Sequence, residues 1–264
     1  MGVLNVTPDS FGDSVRLVDL SSAVEAAVRM EAEGADLIDI GGESTRPGAA
    51  PVPADEEAQR VVPVVRALAG RLRVPISVDT TKAPIARAAL AEGAALVNDI
   101  SALSYDPALG RVAAEAGAGL ILMHMRGRPA AMYAEAQYGN LMEEVARELD
   151  ERLRAAVAAG VPRDRLIVDP GVGFAKRPAD SYGVLARLPE LARALDRPIL
   201  VGPSRKSFLR DALDGRPAVE RDWGTAAAVT AAVLGGAHVV RVHAVGAMAQ
   251  VVKVADQIRS AWTD

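Results

Sequence analysis

Four times along this chain a Gly-Ala pair leads within one or two residues into a short apolar run that ends in polar residues. The copies are Gly34-Ala-Asp-Leu-Ile-Asp39, Gly93-Ala-Ala-Leu-Val-Asn-Asp99, Gly117-Ala-Gly-Leu-Ile-Leu-Met-His124 and Gly236-Ala-His-Val-Val-Arg241. The physical unit behind the pattern is a helix stopped by glycine, a tight turn and a buried strand. Further strands are expected at Val3–Val6, Ile76–Val78, Leu166–Val168 and Ile199–Val201. Helical periodicity fills the gaps. The first helix opens on Ser22-Ala-Val-Glu25, read as a capping box, and runs to about Glu33. Others fall near Ala54–Ala69, Pro84–Glu92, Pro107–Ala116, Asn140–Ala159, Asp180–Leu195, Thr225–Leu234 and Gly246–Trp262. Eight short apolar strands, each followed by a helix, fit a parallel sheet covered on both faces. Eight such units in about 250 residues is the arithmetic of a (β/α)8 TIM barrel. A doubly wound open sheet would carry a Gly-rich fingerprint after its first strand; Asn5-Val-Thr-Pro-Asp-Ser-Phe11 stands there instead. No break in composition marks a linker, so residues 1–264 are expected to form one α/β domain.

Composition narrows the function. Lys and Arg number 30 against 34 Asp and Glu, a net charge of −4, which gives no general field for nucleic acid or an anionic membrane. The expected partners are small molecules. Cysteine is absent, which excludes disulfides, thiolate catalysis and zinc–thiolate sites and fits a reducing cytoplasm. The opening MGVLNVTPDS has no basic region ahead of its apolar run, so no signal peptide is expected there. No Walker A loop, G-x-S-x-G elbow or H-E-x-x-H pair is present. Aromatics make up only 3% of residues, so the core must be aliphatic and rich in alanine.

Polar residues recur just after the strands: Asn5, Asp39 with Glu43, Asp79, Asn98 with Asp99, His124, Asp169, Ser204-Arg-Lys206, and Arg241 with His243. Barrel strands all end on one face, so these groups converge on one mouth. Taken singly, Asp39, Asp99 or Asp169 fits a helix-capping role equally well. Arg241 and His243 are two apart on one strand, share a face and suit an anion; Arg241 paired with a barrel carboxylate is the alternative. Gly202-Pro-Ser-Arg-Lys-Ser207 leads toward a helix expected to begin near Ser207, whose N–H groups with Lys206 could hold an anion or a heterocycle. Asp169-Pro-Gly-Val-Gly-Phe174 reads as a turn. Asn5 and Asp13 offer oxygen ligands for Mg2+. Residues 7–19 and 42–53 are long connections rich in Gly, Pro, Ser and Thr, expected to be mobile lids over the active face.

Eight runs resemble the dihydropteroate synthases of bacterial folate biosynthesis. They are Met1-Gly-Val-Leu-Asn-Val-Thr-Pro-Asp-Ser-Phe11, Asp39-Ile-Gly-Gly-Glu-Ser-Thr-Arg-Pro-Gly-Ala49, Ser77-Val-Asp-Thr-Thr-Lys82, Asn98-Asp-Ile-Ser101, Leu122-Met-His-Met-Arg-Gly127, Asp169-Pro-Gly-Val-Gly-Phe174, Ser204-Arg-Lys-Ser-Phe208 and Arg241-Val-His243. They keep the family's order and span nearly the whole chain. The resemblance implies a transferase joining p-aminobenzoate to 6-hydroxymethyl-7,8-dihydropterin diphosphate through an SN1-like C–O cleavage, with Mg2+ as cofactor, a homodimer, and sulfonamides as inhibitors. It implies that Asn5 holds Mg2+ and that Thr45, Arg241 and His243 contact the diphosphate. Asp79, Asn98, Asp169 and Lys206 match the pterin pocket, with Met123 and Phe174 as apolar walls. Arg46, Pro47, Phe174, Lys206 and Ser207 match positions beside p-aminobenzoate. Asp79 and Lys206, with Phe11 and Asp13 of the mobile first loop, match catalytic positions. The first loop departs from the family, reading Ser10-Phe-Gly-Asp-Ser-Val15, and Ala244 stands where the family has Asp. Two alternatives remain: a pterin-binding methyltransferase domain, which needs no diphosphate site, and a paralogue that binds a pterin without turnover.

Overall fold

The computed structural model describes residues 1–7, 20–46, 48–129 and 131–262. Phe11, Asp13 and Pro47, with nearly all of the first loop, lie outside the described residues. Among the described residues eight parallel strands alternate with helices. In chain order they are β1 (Gly2–Asn5), α1 (Leu20–Ala32), β2 (Ile38–Gly41), α2 (Ala54–Leu68), β3 (Ile76–Asp79), α3 (Ala83–Ala91), β4 (Leu96–Asp99) and α4 (Ala108–Ala116). There follow β5 (Gly119–Met123), α5 (Leu141–Ala158), β6 (Leu166–Asp169), α6 (Pro178–Ala186), α7 (Leu188–Leu195), β7 (Leu200–Val201), α8 (Asp222–Leu234), β8 (Val239–Val240) and α9 (Val245–Ala261).

Strands β1 to β6 form one sheet in sequence order, and β7 pairs with β8. Two single bridges join these pieces into a ring, Val168 to Ile199 and Gly2 to Val242. The backbone N–H of Val3 donates to the Val242 carbonyl at 3.0 Å, and Val168 N–H to the Pro198 carbonyl at 3.0 Å. The expected barrel is therefore present. Its register puts Asn5 opposite Gly41, Gly41 opposite Asp79, and Asp79 opposite Asn98, which sets polar strand ends at one level.

The helices pack as their spacing dictates. Helix α5 buries Met142, Val145, Leu149, Leu153 and Ala156, one stripe at helical period. Each leucine so buried stabilises the fold by roughly 1.5–3 kcal/mol. Helix α2 carries Asp55, Glu56 and Glu57 in its first turn, the favourable end for negative charge. Helix α4 ends at Gly117 in the left-handed conformation, φ 63°, as the Gly-Ala pattern predicts.

Three local expectations are corrected. The single helix expected over Asp180–Leu195 is two helices, α6 and α7, divided at Arg187. Pro189 enforces the break, because it fits the first turn of a new helix but not the interior of an old one. Helix α1 is already formed at Leu20, so Ser22 lies inside its first turns and is not the cap. From Ser207 the chain makes two three-residue 3-10 turns, Ser207–Leu209 and Asp211–Leu213, so no aligned array of α-helix N–H groups stands there.

Candidate active site

The strand ends build a network centred on Arg241. Its Nε donates to Asp39 Oδ2 at 2.6 Å, and its terminal nitrogen donates to Asp79 Oδ2 at 2.8 Å. The Asn98 amide donates to the same Asp39 oxygen at 2.9 Å. Asp39 is wholly buried, and its other oxygen, Oδ1, has no hydrogen-bond partner among the described residues. Burial pushes the Asp79 carboxyl up to about 7, although Arg241 pulls it the other way. Arg241 thus sits in this structure as the partner of two barrel carboxylates, the alternative weighed for it from sequence.

The tandem Arg205-Lys206 divides. Arg205 takes a left-handed backbone, φ 59°, and its guanidinium turns to Asp222 of α8 with two bonds of 2.7 Å. Lys206 faces the mouth. Its Nζ donates to the Val172 carbonyl at 2.7 Å and stands 4.3 Å from the centre of the Phe174 ring. Burial lowers its ammonium to about 8, with Asp169 acting in the opposite direction. Past the ends of β7 and β8 the Ser204 hydroxyl accepts from the His243 backbone N–H at 3.2 Å and lies 2.9 Å from its Nδ1. Burial, then the Arg241 charge, lowers His243 to about 4, so its ring is neutral at pH 7.

Asp169 ends β6 and accepts from the Gly171 N–H at 2.7 Å. Burial raises its carboxyl, with the Lys206 charge opposing. Phe174 is buried in a small cluster with Ile100, Met123, Met132 and Ala175 above the barrel core. Asp99, by contrast, serves the backbone: it accepts from Ser101 N–H, the Ser101 hydroxyl and Leu103 N–H. It thus braces the turn after β4 and does not cap the next helix, which begins only at Ala108.

Thr45 lines a cavity of about 130 Å³ with Asp79, Lys82, Ile100 and Tyr105. Arg46 is exposed, and its charge reaches His243. Ser207 is exposed, 3.0 Å from the Tyr133 hydroxyl. Asn5 is half-buried at the end of β1, and its side-chain amide has no hydrogen-bond partner among the described residues. The structure thus brings Asp79, Asn98, Met123, Asp169, Phe174, Lys206, Arg241 and His243 to one mouth.

Two lysines of this region escaped the sequence reading. Lys82, just past β3, binds Glu43 Oε2 at 2.5 Å, the Val52 carbonyl at 2.7 Å and the buried Glu57. Lys176 is fully buried behind the Asp169–Phe174 turn. For Lys82 the signal was its place in Ser77-Val-Asp-Thr-Thr-Lys82; for Lys176 it was a lysine closing an otherwise apolar Gly-rich turn.

Comparison with known proteins agrees with this fold and identifies its relatives. The family described as pterin binding enzyme matches residues 1–243. A dihydropteroate synthase of Synechocystis sp. is 48% identical over 98% of this chain and 89% of its own length. A Yersinia pestis dihydropteroate synthase solved with a sulfonamide drug superposes with a TM-score of 0.92 at 44% identity, covering 98% of this chain and 93% of that one. The Xanthomonas albilineans dihydropteroate synthase solved in complex with 7,8-dihydropteroate gives 0.88 at 38% identity, over 98% and 92% of the two chains.

Proposed function

The chain belongs to the pterin-binding enzymes, and from that premise we propose that it has dihydropteroate synthase activity. It joins 6-hydroxymethyl-7,8-dihydropterin diphosphate to p-aminobenzoate, giving 7,8-dihydropteroate and pyrophosphate in folate biosynthesis. The observation that carries this reading is the convergence of Asp79, Asn98, Asp169 and Lys206 on one barrel mouth. A pterin presents an edge of N–H donors, which a buried carboxylate such as Asp169 can accept, and a ring carbonyl, to which Lys206 can donate. Met123 and Phe174 supply apolar faces for the flat ring.

The bond from the hydroxymethyl carbon to the bridging oxygen breaks, and its electron pair leaves with pyrophosphate. The carbon becomes a cation conjugated with the electron-rich dihydropterin. Asp79 in its ionised form stabilises that charge. The lone pair of the aniline nitrogen attacks the carbon, and the nitrogen then loses its proton to solvent. No covalent enzyme nucleophile is required. Arg241 and a neutral His243 face the departing anion, where charge-assisted hydrogen bonds gain strength as charge develops. Arg241 must share itself between the anion and its carboxylates, so the diphosphate competes with Asp39 and Asp79 for one guanidinium.

Asn5 fits a magnesium site as a single neutral oxygen ligand with no other partner among the described residues. No group of three or more His, Asp or Glu among these residues could hold a metal alone, so the remaining ligands would be diphosphate oxygens and water, the usual habit of Mg2+. The ion would neutralise the diphosphate and make it a better leaving group. Thr45 belongs with the diphosphate contacts, and Arg46, Pro47 and Ser207 with p-aminobenzoate, while Phe11 and Asp13 would close over the reacting centre.

A homodimer and a cytoplasmic location belong to the same proposal. Exposed Val219 and Trp223 support a covered face in the C-terminal half. No helix among the described residues is long and apolar enough to cross a membrane.

The test is turnover with dihydropterin diphosphate, p-aminobenzoate and Mg2+, read as pyrophosphate release and dihydropteroate formation. Pterin binding without product would mark a silent binder, and methyl transfer from methyltetrahydrofolate would mark the methyltransferase. Parallel calorimetry with Arg241→Ala should show diphosphate substrate weakened far more than a pterin lacking the diphosphate.

A further inference from the structure

Among the described residues Lys176 is the largest fully buried side chain, and the chemistry above makes no use of it. An ammonium is kept out of water only where other groups replace the solvent. Its Nζ lies 2.8 Å from His124 Nδ1 and 3.4 Å from the carbonyl oxygens of Gly171 and Phe174. An ammonium has three donors and no acceptor, so Nδ1 must accept. The ring proton of His124 is then on Nε2, which donates to Glu148 Oε2 at 3.0 Å. Burial, then the Lys176 charge, lowers His124 to about 4. Although burial opposes it, hydrogen bonds from His124 and Arg126 hold Glu148 down at about 2. The line therefore has one polarity, Lys176 to a neutral His124 to an ionised Glu148 on α5.

The turn in front of Lys176 is stitched to the end of β5 on its rear side. His124 N–H donates to the Asp169 carbonyl at 2.8 Å. A Cβ on Gly171 would stand 2.0 Å from the His124 carbonyl oxygen, and Gly171 holds φ 65°, so only glycine fits. The Tyr138 hydroxyl donates to the Ala175 carbonyl at 2.8 Å. On its front side the same turn offers the Val172 carbonyl and the Phe174 ring, the two groups that hold the Lys206 ammonium. One lysine thus stands behind the turn and one before it.

We propose that Lys176, through its hydrogen bond to His124, is a positioning residue for the pterin pocket: it fixes the 170–175 turn, and the turn aims Lys206. The inference rests on the pterin reading of this mouth. The charged and titratable groups facing Lys176 are His124 and Arg126 from the end of β5, Tyr138, Glu148 from α5, and Asp169 and Lys206 on the mouth side.

The experiment compares the intact wild-type protein with Lys176→Met, which keeps the bulk and removes the donor. Calorimetry with a dihydropterin lacking the diphosphate should show binding weakened by about tenfold, the usual scale for a displaced contact group. The Lys206 ammonium, followed by lysine-selective 13C NMR, should titrate higher, toward the ordinary lysine range, because a loosened turn lets water reach it and relieves the burial that lowers it. His124→Asn keeps an acceptor near the position of Nδ1 and should retain pterin affinity, whereas His124→Leu should lose it. A merely space-filling Lys176 would leave Lys206 unmoved and treat the two His124 variants alike. If Lys176→Met does not fold, the His124 pair decides. Pterin affinity within about twofold of wild type in Lys176→Met, with Lys206 unshifted, overturns the inference. Failure of the wild-type protein to bind pterin overturns the reading of the mouth instead, and the Lys206 titration still tests the link between the two lysines.

Discussion

Lys82 and Lys176 each reach back from beyond a barrel strand to hold a loop of the same mouth, and each has three acceptors within reach. Lys82 gathers Glu43, the Val52 carbonyl and Glu57, so both feet of the second loop are tied to α2. Lys176 gathers one neutral imidazole and two carbonyl oxygens. Burial lowers both ammonium groups, but the hydrogen bonds that Lys82 donates to Glu43 and Glu57 reverse this for it, and it ends above its ordinary value. Lys176 has no such carboxylate in contact and falls to about 7. Lys82 is a quarter exposed and Lys176 is not exposed at all, so depth of burial and the charge of the partners, rather than their number, decide how firmly each cation keeps its proton.

The first and largest separation of the two lysines is in stability. Lys82→Met leaves Glu57, which is 1% exposed, without a cation, and should cost about 3 kcal/mol. Lys176→Met removes a charge whose contacts are neutral and should cost less than about 1.5 kcal/mol. Urea melts of the two variants check this, and equal costs would mean that partner charge is irrelevant.

The second is pH. The folded value of Lys176 is depressed to about 7, against about 10.4 for an unfolded lysine. Between these limits the unfolded chain holds more protons, so this group makes stability rise with pH, by at most about 1.4 kcal/mol per unit. Lys206, lowered to about 8, acts in the same sense, so the informative quantity is the difference from wild type. Between about pH 7.5 and 9.5 the slope for Lys176→Met should be flatter by about 1 kcal/mol per unit. Lys82 is raised, so its contribution is fully present below the unfolded value and is lost only above it. Lys82→Met should leave the slope in that window unchanged.

The third is in kinetics. Lys82 ties the loop that carries Arg46, and Lys176 holds the turn before Lys206. Loss of Lys82 should raise KM chiefly for p-aminobenzoate, and loss of Lys176 chiefly for the pterin diphosphate, each by about threefold to tenfold. Identical effects on both substrates would show that the two loops move as one.

Much of this was legible in the sequence. The Gly-Ala pattern and the polar strand ends are local, and the barrel follows from them because parallel strands present all their ends to one side. What stayed hidden depends on dihedrals or on distant pairing. Arg205 and Lys206 are neighbours in sequence, but a left-handed φ at Arg205 sends it to Asp222, and no residue type announces that conformation there. Arg241 finds Asp39 across 202 positions. His124 was visible as a strand-end residue, yet β5 alternates, so Met123 enters the apolar cluster of the mouth while His124 turns to α5. The break at Arg187 was legible in Pro189 and needed only the rule that proline starts helices more readily than it continues them.

The ring itself is closed unevenly, and charge follows that division. Asp39, Asp79, Asn98 and Asp169 belong to the continuous six-strand sheet, whereas Lys206, Arg241 and His243 follow from the β7–β8 pair, which meets its neighbours at single bridges. The mouth is a vice with one acidic jaw and one basic jaw. The two ion pairs of Arg241 run from β8 to β2 and β3 across the Gly2–Val242 seam, so side chains rivet the jaws where the backbone does so sparingly. On the proposed reading, a ligand with a basic edge and an anionic tail would lie across that line, its tail on the Arg241 side and its ring on the acidic side with Lys206 reaching over to it. Scission of such a molecule between ring and phosphate would then leave the anionic fragment on the Arg241 side.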